Sequence, residues 1–477
     1  MRRAASVLFS VLLVAPLGVA PAQAVDGTVT VMSRNLYLGA DVAIALELLP
    51  DMPAAAQFMW EQVAATDFDA RVDSLAAELV EYRPDVVGIQ EATTWVCRPS
   101  WFSSSTVVYD FLDQLLEATE AAGTPYVIAE HDGVQAMNPG YSIPALPGLT
   151  TVQDPATFQP IFGADEVACG FTIGDAVLVR ADLAESVSAV GTGDYEAKYV
   201  VVPVVFEVPR GFAWADIDFP QGRARFVATH LESGWAAGSA PASAQQAREL
   251  IETTSAWTMP LVVIGDFNAD PRDPRGSDAP NPGLQPDVTT GCSEQVNAPG
   301  ASTADATCNA YWAMVQAGFT DSGPDARDPA NATWGASALL AGPDLQRLTQ
   351  AEGNPYGFTD RLDYIFVANG VTVRDAGLVG ERWPNGDNVW ACSDPLQVEN
   401  ARAAAQALKV EPAEKTCFPT DHAGIVASLG IPPSAGSDRE ELDRATLLLV
   451  IIGTLVVSAA VALWAWRRSA IPHRPTM

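Results

Sequence analysis

Apolar and polar positions alternate from Thr28 to Ser33 with β-branched residues among them, which predicts a half-buried strand. From Ala70 to Tyr82 the apolar residues return at helical spacing, and Pro84 closes that helix. The short apolar run Asp85-Val86-Val87-Gly88-Ile89-Gln90 follows and reads as a buried strand. A second helix is expected over Tyr109–Ala122, ended by Gly123, with a strand at Tyr126–Ala129. Further strands are expected at Gly174–Arg180, Tyr199–Val208, Ala224–His230, Leu261–Gly265, Leu362–Val367 and Gly424–Ser428, and a helix at Ser243–Trp257. Many strands with fewer helices predict an α/β fold of large sheets covered by helices. Two stretches rich in Pro and Gly, Gly133–Val167 and Ala269–Asn309, read as loops, and the second holds Cys292 and Cys308.

The two ends follow a different pattern. Arg2 and Arg3 precede an apolar run from Ser6 to Ala20, and Ala22-Gln23-Ala24 offers small residues for cleavage, so residues 1–24 read as a signal peptide. Ala445 to Trp466 carries no charge and meets the ~20-residue requirement for a membrane-spanning helix. Arg467, Arg468 and Arg474 after it place the 467–477 tail in the cytoplasm. The expected organisation is one exported domain over 25–430, a linker over 431–444 and a transmembrane helix over 445–466. The product is a single-pass protein of the cell membrane whose membrane contact is that helix. Nothing in the sequence marks a protein partner.

Composition narrows the classes. Of 477 residues, 48% are hydrophobic, which excludes a disordered chain, and 58 acidic against 27 basic residues exclude a basic nucleic-acid coat protein. All the acids lie in the exported part, which holds 22 basic residues and a net charge of −36. Such a surface favours solubility and tolerates divalent cations. Cys97, Cys169, Cys292, Cys308, Cys392 and Cys417 are all exported and form no Cys-x-x-Cys, so disulfides are expected, paired in chain order as Cys97–Cys169, Cys292–Cys308 and Cys392–Cys417.

Of the four histidines, His473 lies in the tail and His131 in a turn, Glu130-His131-Asp132-Gly133. His230 and His422 each adjoin an apolar strand among polar residues. Other polar groups share that placement: Asn35 after the first strand, Glu91 after Ile89-Gln90, and Asp266 and Asn268 after Leu261–Gly265. Asp363 lies inside Arg361–Val367, where a carboxylate needs a partner because an unpaired buried charge costs several kcal/mol. A sheet that delivers carboxylates, amides and two histidines to its strand ends builds one polar pocket. The aromatic cluster Trp95, Trp101 and Phe102 follows Glu91 and suits packing, a lid or a lipid contact.

Asn35, Gln90-Glu91, Thr229-His230-Leu231, Gly265-Asp266-Phe267-Asn268, Arg361-Leu362-Asp363-Tyr364 and Thr420-Asp421-His422 together resemble, in order, the motifs of the endonuclease/exonuclease/phosphatase superfamily, here as a membrane-anchored, bacterial-type member. The resemblance spans about Thr28 to Leu429. It implies a four-layer α/β sandwich, two mixed sheets flanked by helices, and a metal-dependent phosphoesterase. Glu91 would bind Mg²⁺, or another divalent cation such as Mn²⁺ or Ca²⁺, with Asn35 and Asp421 beside it. His422, oriented by Asp363, would serve as general base or stabilise the attack. Asp266 and Asn268 would position water and phosphate, and His230 would donate to a phosphate oxygen. The substrate is expected to be a phosphate ester, with nucleic acid ahead of a phospholipid headgroup or a small ester. The rival reading is a non-catalytic surface-binding scaffold, disfavoured because every expected polar position is filled. A calcineurin-like phosphoesterase would need a Gly-Asn-His motif and more histidines.

Overall fold

The computed structural model describes residues 27–153, 165–202, 206–233, 241–272, 308–349, 351, 353–384, 386, 388–411 and 414–433. The expected signal segment, the span at 445–466, the tail, Cys292 and most of the 269–309 insertion lie outside them. Among the described residues no helix is long and apolar enough to cross a membrane.

The apolar runs form the centres of two sheets. The strands Thr28–Asn35 and Val86–Arg98 pair in parallel, with Asn35 opposite Gln90, and Glu166–Arg180 runs antiparallel along Val86–Arg98. Gly424–Gly430 and Thr372–Val379 complete the other side of this sheet, which has nine strands among the described residues. The second sheet, of six strands, is centred on the parallel pair Gly222–His230 and Leu261–Asp266, joined by Asp363–Ala368 and Gly211–Phe219.

Both sheets are buried on both faces, so their central strands read as continuous apolar runs rather than strict alternations. Side-chain alternation still sorts those runs. Val86, Val177 and Val179 meet Phe226, Val262, Ile264 and Ile365 in a core between the sheets. Val87, Ile89 and Leu178 face outward onto the helices Met52–Thr66, Phe68–Tyr82 and Phe111–Ala121 through Trp60, Leu75 and Phe111. Val227, Leu261 and Val263 pack outward against the helices Ala242–Thr254 and Ala310–Gln316 through Leu250 and Met314. The result is helix, sheet, sheet, helix. Gly88 sets the spacing between the sheets: a Cβ there would stand 2.5 Å from Ile264 Cγ2.

Several expectations need correction. Gly133–Val167 is not a loop throughout, because Met137–Ile143 and Thr151–Gln153 are strands paired to Glu166–Arg180. Tyr199–Val208 is not one strand but a hairpin, Tyr199–Val202 against Phe206–Val208. Tyr109 belongs to the strand Thr106–Asp110, and the helix starts only at Phe111, because Asp110 caps it by accepting from the Asp113 N–H. The Ser243 helix ends at Thr254, before Trp257. Cys97–Cys169 and Cys392–Cys417 are bonded as expected, and Cys308 is disulfide-bonded.

Candidate active site

Both parallel strand pairs end at the same pole of the sandwich, so the residues at their C-terminal ends meet. Asn35 closes the first strand, and His230 lies opposite Asp266 where the second pair ends. Asp363, paired with Asp266, opens its own strand at that level, and His422 stands just before Gly424–Gly430. Glu91, His230, Asp266, Asn268, Asp421 and His422 line one cleft of about 460 Å³, and the buried Asn35 and Asp363 stand behind them, hydrogen-bonded to Glu91 and Asp266 and to His422.

Glu91 reaches the cleft through a β-bulge. Ile89 pairs with Ala176 and Ala92 with Gly174, so Gln90 and Glu91 face the single residue Asp175. Glu91 takes φ +57°, a left-handed conformation that costs roughly 1–3 kcal/mol outside glycine. Tyr37 and Asn268, on the same cleft, share it at +58° and +45°. Glu91 Oε2 accepts from the Leu38 N–H at 2.5 Å and Oε1 from Asn35 Nδ2 at 3.2 Å. Asn35 Nδ2 also reaches Asp266 Oδ2 at 3.2 Å, and its Oδ1 accepts from the Tyr37 N–H at 2.8 Å.

The two histidines lie in opposite fields. His422 Nδ1 meets Asp363 Oδ2 at 2.9 Å, while Nε2 faces Asp266 Oδ2 at 3.6 Å and Asp421 Oδ1 at 4.0 Å. Burial alone would lower its pKa, but the three carboxylates outweigh burial and lift it to about 10. Arg34 Nη1 donates to the His422 carbonyl at 2.5 Å, and Arg34 is itself paired with buried Glu78 at 2.7 Å. Arg71 binds the Leu36, Tyr37 and Pro419 carbonyls at 2.6 to 2.7 Å, tying the loop after Asn35 to the loop before His422. His230 is held well below its ordinary pKa by burial, then by Arg210 and His422. Arg210 Nη1 lies 3.2 Å from His230 Nδ1 and Arg210 Nε 2.9 Å from Glu232. Arg210 Nη1 and Asn268 Nδ2 are both donors, and a neutral ring accepts at only one nitrogen. The permanent guanidinium charge claims Nδ1 as the acceptor, and Asp266 Oδ2, 3.4 Å from Nε2, faces the proton left on Nε2, while Asn268 Nδ2, 3.0 Å from Nε2, donates to the Leu231 carbonyl at 2.8 Å.

Burial pushes the Asp266 carboxyl up to about 7, and it raises Glu91 and Asp421 as well, with Asp421 the next cause at Glu91. Crowded, desolvated carboxylates of this kind are matched by a divalent cation, and the oxygen donors Glu91 and Asp421 suit a hard one, while Asn35 turns its Nδ2 to Glu91 and Asp266 and its Oδ1 to the Tyr37 N–H. Among the described residues, the ligand atoms grouped within 4.8 Å are instead those of Asp266, Asp363 and His422. The Asp363–His422 hydrogen bond occupies the inner side of that trio, which makes it a proton-handling group with Glu91 and Asp421 on its open side.

The sequence reading missed several residues of the site. Arg210, Glu232, Trp334 and Arg347 line the cleft, and Trp334 Nε1 donates to Asp421 Oδ2 at 3.1 Å. Asp175, opposite the bulge, is buried and pushed up to about 8, its Oδ1 without a hydrogen-bond partner. Asp41 caps the helix Val42–Glu47 through the Ile44 N–H and also lines the cleft. His131 lies apart, half-buried in a hairpin. Trp95 is buried core, whereas Trp101 and Phe102 stand 58% and 101% exposed beyond Arg98.

Solved structures of similar proteins include an endonuclease/exonuclease/phosphatase from Beutenbergia cavernae, 16% identical, over 85% of this chain and 72% of that one with a TM-score of 0.41. A mannosyl-6-phosphatase from Bacteroides thetaiotaomicron is 15% identical over 84% and 99%, with a TM-score of 0.39. D. rerio TDP2 complexed with single-strand DNA product is 14% identical over 85% and 99%, with a TM-score of 0.37. No curated protein sequence matches. The model of the Endonuclease/Exonuclease/phosphatase family, whose members hydrolyse phosphoester bonds, matches residues 57–422, and the chain belongs to that family.

Proposed function

We propose that this protein is an extracytoplasmic, membrane-tethered phosphoesterase that depends on a divalent cation, Mg²⁺ first. The observation that carries the reading is the convergence of Glu91, His230, Asp266, Asn268, Asp421 and His422 on one cleft, with Asp363 and Asn35 hydrogen-bonded behind them. Glu91 and Asp421 would hold the cation, with Asn35 beside it positioning Glu91, and it would supply charge neutralisation at the phosphoryl group. The chain's own groups do the rest. Asp266, near 7, orients the attacking water and takes up its proton, and the Asn268 carboxamide fixes the phosphate. His230 presents Nε2–H to a phosphate oxygen. His422, kept cationic by Asp363, faces the charge that develops as the water attacks.

For substrate we infer a phosphodiester, nucleotidic first. A cleft of about 460 Å³ accommodates one nucleotide-sized group. The second reading is a phospholipid headgroup, favoured by the exposed Trp101 and Phe102.

The test compares the full-length protein with His422→Ala in Mg²⁺ on single- and double-stranded DNA, sphingomyelin vesicles and a chromogenic phosphodiester. Metal-dependent turnover lost in the variant is expected, with single-stranded DNA or the small diester preferred. Turnover that survives the substitution sinks the catalytic assignment, and preference for the vesicles replaces the nucleotidic reading with the lipid one.

A further inference from the structure

One wall of the cleft is made by the segment that leads into the Asp363 strand, and it carries a cation that the chemistry above does not use. Arg347 lies on the short helix Leu345–Leu348, and its guanidinium stacks 3.9 Å from the centre of the Trp334 ring. Trp334 is fixed to the site through Asp421 Oδ2 and by a bridge to His422. The stack therefore holds Arg347 in a set place beside the expected cation ligands. Among the described residues that line the cleft, Arg210 and Arg347 are the permanent cations. Arg210 is engaged by Glu232 and His230.

Arg347 is not satisfied in the same way. Its nearest carboxylates, Asp344 at 3.6 Å from Nε and Asp360 at 3.7 Å from Nη1, lie beyond hydrogen-bond reach. Asp360 Oδ2 already accepts from Thr359 Oγ1 at 2.6 Å. Arg347 Nη1 is buried and has no hydrogen-bond partner. Burial lowers the Arg347 pKa more than Asp360, Asp344, Asp41 and Asp421 together restore it. Nη1 is turned into the wall toward buried Asp360, and the 19% of the side chain that stays exposed lines the cleft, where an anion meets the rest of the guanidinium in a low dielectric. Stacking on an indole leaves the guanidinium edge free to donate in its plane.

We propose that Arg347, positioned by Trp334, receives a second anionic group of the substrate, a phosphate or carboxylate beside the ester that is cleaved. The inference rests on the phosphoesterase reading and narrows it to substrates with two anionic groups. Arg347 is then a specificity residue, whereas the residues around His422 and Asp266 act on the bond itself.

The test uses full-length protein in Mg²⁺ and a matched pair of chromogenic diesters, thymidine 5′-(p-nitrophenyl phosphate) with and without a 3′-phosphate. The wild type is expected to prefer the 3′-phosphorylated member by at least ~10-fold in kcat/KM, and Arg347→Ala to bring that ratio to about 1. Arg347→Lys keeps the charge without the planar fork and should fall between them. A wild type without preference, or a variant that loses activity equally on both diesters, overturns the proposal. Titration calorimetry with methylenebisphosphonate and methylphosphonate reads the subsite without turnover. The ratio of their affinities should fall at least ~5-fold in Arg347→Ala, and an unchanged ratio overturns the subsite. Loss of turnover on both diesters by the wild type, with the calorimetric ratio still dependent on Arg347, overturns the phosphoesterase reading instead and leaves the anion site standing.

Discussion

His422 and His230 face the same Asp266 from the two sheets, at 3.6 and 3.4 Å, yet their surroundings drive them to opposite charge states. The His422 wall is anionic: Asp363, Asp421 and Asp266 lift that ring to about 10 in spite of burial. The His230 wall is cationic: burial and Arg210 hold that ring well below its ordinary range. Two identical side chains thus become a cation on one side and a neutral Nε2–H donor on the other. The difference comes from the second layer. Carboxylates stand behind one ring and a guanidinium behind the other, and acid and base roles are divided in this way by environment rather than by residue type.

The largest effect is expected from breaking the His422 side. Asp363 is fully buried and serves His422 through one hydrogen bond of 2.9 Å. Asp363→Asn keeps the shape but removes the charge, and its amide can present an N–H to Nδ1, which favours the wrong ring tautomer. A loss of ~10³–10⁴ in kcat is expected, with little change in KM, by analogy with carboxylate-to-amide changes behind catalytic histidines. Steady-state kinetics on a chromogenic diester measures it. A loss below tenfold removes Asp363 from the mechanism.

The His230 side should respond less, and with a signature of its own. Arg210→Met takes away the donor that fixes Nδ1 as the acceptor. The neutral ring can then place its proton on either nitrogen, and the population with Nε2–H falls. A loss of roughly 10- to 100-fold in kcat/KM is expected at pH 8, the range seen when the partner that orients an active-site histidine is removed. Without Arg210 the His230 pKa also rises, so toward acid pH the ring protonates and regains Nε2–H. The ratio of wild-type to variant activity should therefore shrink as pH falls below the ordinary histidine value of ~6.5. A merely structural role for Arg210 gives a ratio that does not change with pH.

The contrast between the walls also marks what the sequence can show. Asn35, His230, Asp266, Asn268 and His422 were legible because each adjoins an apolar strand, and a strand end is a fixed place in a sheet, whereas Glu91 lies within Val86–Arg98 at a bulge. The central strands were legible for the same reason, since burial on both faces leaves unbroken runs such as Leu261–Ile264. The strand Met137–Ile143 was not, because Pro139 and Gly140 lie inside it and its pairing with Glu166–Arg180 overrides their turn preference. The helix Met52–Thr66 was hidden by Pro53, which reads as a breaker but stands in the first turn, where its missing N–H costs nothing. The bulge that turns Glu91 inward left no local sign. Arg210 and Arg347 come from loops whose destination is set by tertiary structure, and a lone arginine in a loop looks like any solvated charge.

The smallest effect concerns the cation expected at the anionic wall. Asp266 titrates near 7 in the folded chain and near 3.8 as a free carboxyl, so between those values the folded state binds a proton that the unfolded state does not. That excess proton means stability contributed by Asp266 is present at acid pH and lost as pH rises through ~4 to 7. Glu91 and Asp421 are raised in the same direction. A divalent cation held at Glu91 and Asp421 must displace any proton they carry, and their raised affinity for a proton makes it compete less well at pH 5 than at pH 8. Saturating Mg²⁺ at ten times its dissociation constant should stabilise the full-length protein by about 1.4 kcal/mol, or ~2–4 °C in Tm, at pH 8. At pH 5 the shift should be smaller. Glu91→Gln should reduce the pH 8 shift, whereas Arg210→Met, on the other wall, should leave it in place. Equal shifts at both pH values would separate cation binding from the carboxylates of the His422 side, and the division of labour between the two walls would then have to be drawn without a metal.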